Sequence, residues 1–320
     1  MLRLGGAGAV GPFTARAQRT AMPVVGYLSN GSRDAFAPYV GAFLGGLREA
    51  GFDDGRNVAI EYRWIGGQFS RVSALVAELI DRKPDVLVMS EAALRVVPAG
   101  LTIPIVALFA ADPVKYSNVA SYSRPGGGVT GVQMFTYELG TKRLQLLREI
   151  VPSPAAITVL ANPANPVPAA KDDLGSVVEF ARAAGQRIEI LGASTPAEID
   201  AAFAVMAERR AAGLLVMGDP FFNSRREQII GLAARHAIPA LYEWRQFTEV
   251  GGFVSYGASF TDTQHQMGRH AGAILKGAKP AELPIVQTVK VELIINMKTA
   301  RTLGIEIPQS LSGRADEVIE

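Results

Sequence analysis

The second half of this chain repeats the order of elements found in its first half. The apolar run 24–28 has its counterpart in the run 157–161. The segment that follows each run ends at a glycine, Gly51 in one half and Gly185 in the other. A chain built in this way is expected to fold into two similar lobes, and small ligands commonly bind in the cleft between two such units.

The remaining strand-like segments occur in the same order in both halves: 58–62 with 187–191, 85–90 with 213–218, and the runs that begin at Ile103 and Ile238. Most of them are continuous apolar runs, which is typical of strands in a parallel sheet with helices on both faces. Amphipathic helical patterns lie between them. Because βαβ crossovers are right-handed, the pattern predicts an α/β protein with two doubly wound parallel-sheet lobes.

Three segments are predicted to connect the lobes: the strand 129–135, the strand 251–257, which returns toward the first lobe, and the run 285–295. Three short crossings predict a stiff, three-stranded hinge. The predicted division is a signal peptide and leader over 1–21, lobe one over 22–133 with 256–284 returning to it, and lobe two over 134–255 with 285–320 returning to it.

Composition limits the classes of function. The 320 residues are 48% apolar, which is enough material for two cores. Charged residues make up only 19% and the net charge is +2, whereas nucleic-acid binding needs a clustered basic patch. Cysteine is absent, which excludes disulfides, thiolate metal sites, a cysteine nucleophile and a lipidated cysteine.

The N-terminal residues have the features of a secretory signal peptide. Arg3 supplies a positive charge, residues 4–13 are uncharged and small or apolar, and residues 15–17 match the Ala-x-Ala cleavage pattern. The mature, periplasmic chain is then expected to begin at Gln18. A disordered N-terminus or a misassigned start is the alternative.

Sequence patterns give no positive sign of catalysis. The segments 6–11 and 126–131 both match the G-x-G-x-x-G dinucleotide pattern, but neither follows a strand and opens a helix, as the mechanism requires. The histidines show no ligand grouping: His236, His265 and His270. We therefore expect no catalytic residue, no cofactor and no metal site.

Ligands of an open parallel sheet bind beyond the carboxyl ends of its strands. The side chains predicted there are Ser29, Asn30, Ser90, Glu91 and Phe109 in the first half and Asn162, Asn165, Asp219, Phe221, Tyr242, Glu243 and Trp244 in the second. Tyr256 on the returning strand joins them, and Arg33 either meets a ligand carboxylate or is a solvated surface arginine. The set suits a small ligand with a polar or amino end and a flat apolar body. Each residue could instead cap a helix or hold a turn.

Two Asp-Pro steps directly follow apolar strands, Asp112-Pro113 and Asp219-Pro220. An aspartate in this position either accepts hydrogen bonds from the first amides of the next helix or pairs with a ligand ammonium. We expect the capping role for Asp112 and the ligand contact for Asp219. Glu91 and Glu243 are the other carboxylates placed to meet a cation.

Several segments together carry a resemblance to a known family: MPVVGYL (22–28), IPIV (103–106), DPV (112–114), SRPGG (123–127), VTG (129–131), SYG (255–257), ILKGAKP (274–280), INMKTA (295–300) and RADEVIE (314–320). With them, the whole chain resembles the exported substrate-binding proteins of ABC transporters, in the group that includes tryptophan- and tyrosine-type binding proteins. The resemblance implies a type I periplasmic binding fold. It also implies ligand contacts from Ser29, Asn30, Ser90, Asn162, Asn165, Asp219 and the neighbourhood of Tyr242.

One departure from that family concerns the ligand. After the third strand such proteins usually have a small Gly-Thr-like turn, whereas this chain has Ser90-Glu91-Ala92-Ala93. A carboxylate in this turn is expected to affect the preferred charge of the ligand, which puts an ordinary amino acid in doubt as the ligand.

The predicted function is that of an exported, monomeric solute receptor for an ABC importer. It is expected to bind an amino-acid-like or aromatic acid ligand by hinge closure, and its partners are the membrane permease and ATPase subunits. A two-domain enzyme that works in the same cleft is the alternative. A transcription regulator would need a helix-turn-helix before Val24, for which the preceding segment is too short and too rich in glycine.

Overall fold

The computed structural model describes residues 22–117, 119–151, 155–288 and 290–320. The predicted leader over 1–21, including the glycine pattern at 6–11, lies outside these residues. In chain order, the elements up to the first crossing are β1 (Val24–Ser29), α1 (Arg33–Glu49), β2 (Ala59–Trp64), α2 (Val72–Asp81), β3 (Val86–Ser90), α3 (Glu91–Leu94), β4 (Ile105–Phe109), α4 (Pro113–Tyr116) and β5 (Val129–Met134).

The second half continues with the same alternation of helices and strands. Its elements are α5 (Gly140–Ile150), β6 (Ile157–Ala161), α6 (Pro168–Ala183), β7 (Ile188–Gly192), α7 (Pro196–Glu208), β8 (Gly213–Val216), α8 (Pro220–Ser224), α9 (Arg226–Arg235), β9 (Ala240–Tyr242), α10 (Arg245–Glu249) and β10 (Val254–Ala258). The last part contains α11 (Phe260–Leu275), β11 (Val286–Thr288), β12 (Val291–Asn296), α12 (Met297–Leu303), α13 (Gln309–Ser312) and β13 (Glu317–Ile319).

These strands form two sheets in the described part of the chain. The first has the order β11-β5-β4-β3-β1-β2, and all of its pairings are parallel. The second has the order β13-β12-β10-β9-β8-β6-β7 and is parallel except that β12 runs antiparallel to β10. The predicted pair of doubly wound α/β lobes is therefore confirmed. The apolar pattern did not indicate the one antiparallel pairing, which makes β12 and β13 run opposite to the other five strands of the second sheet.

The chain passes between the lobes three times. It leaves lobe one after β5, returns after β10 with α11, and crosses again between β11 and β12. Two predicted boundaries differ from these pairings. The strand predicted to return to lobe one is β10, which pairs with β9 and β12 in the second sheet. Conversely β11, which was assigned to the stretch returning to lobe two, pairs with β5 in the first sheet.

Helices cover both faces of the first sheet, which explains its continuous apolar strands. Along β3, Val86 and Val88 belong to one hydrophobic cluster with residues of α1 and α11. Leu87 and Met89 belong to another cluster with Leu79 of α2. Because successive residues face opposite sides of a strand, both sets must be apolar when both faces are buried.

Helices α1 and α11 approach each other so closely that their backbones touch. A Cβ atom at Gly46 would lie 2.0 Å from the carbonyl oxygen of His265, and one at Gly268 would lie 2.1 Å from the carbonyl oxygen of Phe43. Neither position has room for a side chain. Since α11 belongs to lobe one only through this packing and its contacts with the sheet, the two glycines determine how the returning segment docks.

Replacing Gly46 with alanine should therefore destabilise lobe one by about 1–3 kcal/mol, because the new methyl group forces the helices apart. Gly41 lies on an exposed face of the same helix, and a Cβ atom there would meet nothing within 4 Å. Gly41→Ala should thus stabilise the protein by about 0.5–1 kcal/mol. Urea unfolding of both variants measures the two free energies, and equal effects would contradict the close packing.

Candidate functional site

A cleft of about 790 Å³, counted with its open mouth, lies between the two lobes. The carboxyl ends of β1, β3 and β4 contribute to it from lobe one, and the segments after β6, β8 and β9 contribute from lobe two. Residues after β5 and on α11 form its hinge side. Half of the predicted site residues line this cleft: Ser29, Asn30, Ser90, Glu91, Asn165, Asp219 and Trp244.

Three predicted aromatic contacts are not part of the cleft lining. Phe109 is fully buried in the core beneath β4. Tyr242 is 1% exposed and stacks on Phe247 with ring centroids 4.5 Å apart. Phe221 packs in the core of lobe two, beside Phe222. These rings end apolar strands or begin a helix, but they point into the cores and not toward a ligand.

The other predicted residues outside the cleft have different positions. Arg33 begins α1 and lies in a surface groove with Tyr62 and Trp64. Asn162 lines a neighbouring pocket, behind the wall that Asp219 forms. Glu243 and Tyr256 do not line the cleft either, and both contact the buried guanidinium of Arg143.

Much of the apolar lining was not predicted. It includes Tyr27, Phe36, Met134, Tyr137, Phe260 and Met267, and the polar Gln264 was not predicted either. Phe36 and Phe260 contact each other edge to face, with centroids 5.4 Å apart, and Trp244 lies 6.0 Å from Phe260. Tyr27 and Met134 lie on strands, the residue Tyr137 lies in the segment after β5, and the others lie on helices. The prediction considered only the residues that follow strand ends. A useful signal would have been that the first two of the three crossings carry an aromatic residue beside the hinge, Tyr137 and Phe260.

Asp219 forms the polar centre of the lobe-two side. Its Oδ1 accepts a hydrogen bond from the backbone amide of Phe221 at 2.7 Å. Its Oδ2 accepts from Nδ2 of Asn165 at 2.7 Å and of Asn162 at 3.1 Å. Burial raises the pKa of this carboxyl group, and the amide hydrogen bonds oppose that shift. None of the described residues that line the cleft is a lysine, arginine or histidine.

The two Asp-Pro steps thus differ in their surroundings. Asp112 accepts hydrogen bonds from the backbone amides of Val114 at 2.9 Å and Lys115 at 3.4 Å, and it is not part of the cleft lining. Its geometry is that of the expected helix cap. Asp219 caps α8 and also lines the cleft.

On the lobe-one side, the turn after β3 carries the second carboxylate of the cleft. The hydroxyl of Ser90 donates to Oδ1 of Asn30 at 2.7 Å. Oε1 of Glu91 accepts from Arg95 and from the Ser117 hydroxyl, each at 3.1 Å. Oε2 of Glu91 is buried and has no hydrogen-bond partner among the described residues. Glu91 therefore offers an acceptor and no donor.

Behind the hinge side of the cleft lies a buried arginine that joins two crossing segments. Arg143 of α5 is fully buried. Its Nε donates to the carbonyl oxygen of Tyr256 at 2.8 Å, and its Nη2 donates to the carbonyl oxygen of Thr136 at 3.0 Å. The same Nη2 lies 3.7 Å from Oε1 of Glu243. One side chain thus connects the segment after β5 with the strand that leads into α11.

Burial dominates the electrostatics of this cluster. It raises the pKa of Glu243 to about 8, although the charge of Arg143 acts in the opposite direction. Burial likewise raises the pKa of Asp173 to about 7. Asp173 also accepts a hydrogen bond from the backbone amide of Gly140, at the start of α5, at 3.2 Å.

The lobes also touch at the rim of the cleft, away from the hinge. Lys115 Nζ of lobe one lies 3.3 Å from Asp172 Oδ2 of lobe two. On the other side, the loop at Gly67 lies against α8, so that a Cβ atom at Gly67 would be 3.8 Å from Cβ of Ser224. The lobes are thus in contact at two places on the rim, and we call this arrangement closed.

The described residues contain no group of three or more histidine, cysteine or acidic side chains that could hold a metal ion. Among the helices that the structure describes, none is long and apolar enough to cross a bilayer.

Because the native protein retains a proton on Glu243 that the unfolded chain loses near pH 4.5, stability should fall as the pH rises from about 4.5 toward about 8. Glu243→Gln removes this titration, so the melting temperature of the variant should change less than that of the wild type between about pH 5 and pH 8. Asp173 still titrates in this variant, so part of the dependence of stability on pH remains. Glu208→Gln, at an exposed carboxylate, should behave like the wild type, and an equal slope in all three proteins would exclude Glu243 as the source.

Comparison with known proteins agrees with this architecture. The family model described as ABC transporter substrate binding protein matches residues 24–319. A tyrosine-binding protein of Clostridioides difficile (strain R20291) is 23% identical over 266 residues, which cover 82% of this chain and 76% of that protein.

Two solved structures each cover 93% of this chain and align over 99% of their own length. One is a conserved domain protein from Vibrio cholerae O1 biovar eltor strain N16961, with a TM-score of 0.82 and 25% identity. The other is an ABC domain from Streptococcus pneumoniae in complex with L-Trp, with a TM-score of 0.81 and 24% identity. The chain therefore belongs to the family of ABC transporter substrate-binding proteins, as its resemblance predicted.

Proposed function

We propose that this protein is the exported solute receptor of an ABC importer, and that it holds an amino-acid-like ligand with a flat apolar body between its closed lobes. The observation that carries this proposal is Asp219, a buried carboxylate that lines a largely apolar and aromatic cleft without a basic side chain beside it. A ligand ammonium would supply the missing charge through a charge-assisted hydrogen bond. Trp244 and Phe260 would contact the flat body.

The comparisons support the same class of ligand. One relative is named a tyrosine-binding protein, and one similar structure contains L-Trp. An aromatic acid without an amino group fits less well, since its carboxylate would share the cleft with Glu91 and Asp219. Turnover of a bound ligand would be the evidence for the alternative, an enzyme in the same cleft.

The mechanism that we propose is closure of the lobes around the ligand. A ligand that contacts both lobes binds the closed form more tightly and shifts the open–closed equilibrium by that difference in affinity. The closed form would then be recognised by the permease and ATPase subunits in the membrane. Export rests on the signal-peptide pattern before Gln18, and we propose a periplasmic monomer that is not lipidated.

Asp219→Ala should weaken ligand binding about 30-fold or more, because removing one partner of a buried charged pair costs roughly 2–5 kcal/mol and each 1.4 kcal/mol is a factor of ten. The ligand for this titration is the tightest binder among L-tryptophan, L-tyrosine and the corresponding amines. The variant should also lose about 1 kcal/mol of stability, since Asp219 caps α8.

Asp112→Ala is the matched control, because Asp112 also precedes proline and caps a helix but does not line the cleft. It should lose a similar amount of stability and retain the wild-type affinity. Calorimetric titration and thermal unfolding of both variants separate the two roles. Equal affinity in the two variants would remove Asp219 from the binding site.

The contact between Gly67 and Ser224 at the rim of the cleft allows a direct test of whether the lobes must open. In the double variant Gly67→Cys, Ser224→Cys the two Cβ positions are 3.8 Å apart, within the range of a disulfide, and the chain has no other cysteine. Gly67 has a φ of +75°, so a cysteine there lowers stability, and thermal unfolding of the Gly67→Cys single variant measures that cost. The oxidised protein should neither take up nor release ligand, whereas reduction should restore exchange. The single variants, under the same oxidant, are the controls. Free exchange in the cross-linked protein would show that the lobes need not open.

A further inference from the structure

We propose that the cleft selects a ligand with net positive charge, such as an aromatic amine or an amino-acid amide, and that Glu91 excludes ligands with a free carboxylate. This inference rests on the proposed function, because it narrows the class of ligand bound at the same site.

The first support is the balance of charge around the cleft. One acidic side chain comes from each lobe, Glu91 from lobe one and Asp219 from lobe two, and both are buried. The other described lining residues are neutral. The nearest guanidinium on the lobe-one side, that of Arg95, does not line the cleft and is paired with Glu91. An amino acid with its own carboxylate would therefore bring a third negative charge into a site that has no basic lining residue.

The second support is that the polar side chains nearest the two acids are already engaged. The hydroxyl of Ser90 donates to Asn30, so it is not available to a ligand carboxylate in this arrangement. Nδ2 of Asn165 donates to Asp219 and also lies 3.3 Å from the hydroxyl oxygen of Tyr137. Oδ1 of Asn165 accepts from the amide of Val167. These hydrogen bonds leave the two sides of the cleft rich in acceptors.

The third support is the unused oxygen of Glu91. Its Oε2 has no partner among the described residues, although the side chain is only 3% exposed. A buried acceptor without a donor is costly, and an N–H group of a ligand would remove that cost. The cleft lining also has neutral donors that suit a carbonyl or hydroxyl oxygen. They include the amide of Asn30, the hydroxyl of Tyr137 and the indole N–H of Trp244. An uncharged amide or alcohol fits them without the repulsion that a carboxylate would meet.

The aromatic lining agrees with a cationic ligand. Tyr27, Phe36, Trp244 and Phe260 all contribute to the cleft. Aromatic faces attract ammonium groups, and this attraction is larger when the cation is desolvated. The same rings would also contact the apolar body of the ligand. The aromatic lining would therefore bind both the ammonium group and the ring of an aromatic amine.

The test compares ligands that share one ring and differ in charge. The indole series is tryptamine, L-tryptophanamide, L-tryptophan and indole-3-propionate. The phenol series is tyramine, L-tyrosinamide, L-tyrosine and 3-(4-hydroxyphenyl)propionate. Isothermal titration of the wild type near neutral pH should show the amine and the amide binding at least about tenfold more tightly than the amino acid, which is a difference of 1.4 kcal/mol. The acid should not bind measurably.

Glu91→Gln keeps the size of the side chain and removes its charge. In this variant the preference for the amide over the amino acid should shrink about tenfold or more, while the amide still binds. Asp81→Asn, which removes one negative charge from an exposed position at the end of α2, is the matched control and should retain the wild-type preference.

The outcomes separate this inference from the proposed function. If L-tryptophan or L-tyrosine binds the wild type as tightly as its amide, the charge selection is wrong and the receptor function stands. If Glu91→Gln keeps the full preference, Glu91 is not the selecting residue and the inference fails. If no member of either series binds, the proposed function is wrong and this inference fails with it.

Discussion

The contacts of Arg143 are the constraint on which the rest of the site depends. A guanidinium always carries its charge, and placing it in a protein interior is unfavourable unless acceptors surround it. Here the acceptors are two carbonyl oxygens from separate segments of the hinge, with Glu243 beside them. One buried cation therefore ties two hinge segments together, although its Nη1 has no hydrogen-bond partner among the described residues. Trp244 follows Glu243 directly and lines the cleft, so the same cluster also positions one wall of the binding site.

The strand ends of the two sheets lie on opposite sides of a single cleft, so that each lobe contributes different polar groups to it. Lobe one contributes the Ser90–Asn30 hydrogen bond and Glu91, and lobe two contributes Asp219 with its asparagine donors. The aromatic surface comes from both lobes and from the hinge side, which contributes Tyr137 and Phe260. A ligand that fills the cleft therefore contacts both lobes, which is the physical condition for coupling binding to closure of the lobes. Affinity and conformation cannot be separated in such a site.

Much of the fold was predictable because the sequence contains the same pattern twice, and continuous apolar runs indicate sheets covered on both faces. The same runs explain what could not be predicted. Where both faces of a strand are apolar, the sequence does not show which face its last residue takes, so Phe109 and Tyr242 could not be told from Ser29 and Ser90 as strand ends. The two Asp-Pro steps are equivalent in sequence, and only the tertiary position of the loops separates Asp112 from Asp219. Tyr137 and Phe260 were missed because they lie in segments that were read as connections.

Two late segments of the chain complete lobe one, and this affects the order in which the protein folds. Residues of α11 complete the core on one face of the first sheet, and β11 forms the edge of that sheet beyond β5. Neither segment exists until the whole of the middle portion has been synthesised. The N-terminal lobe therefore has no finished core when it emerges, and its stable form depends on contacts between residues far apart in sequence, which slows folding. In a chain with this connectivity, lobe one completes its core only when the last quarter of the sequence is available.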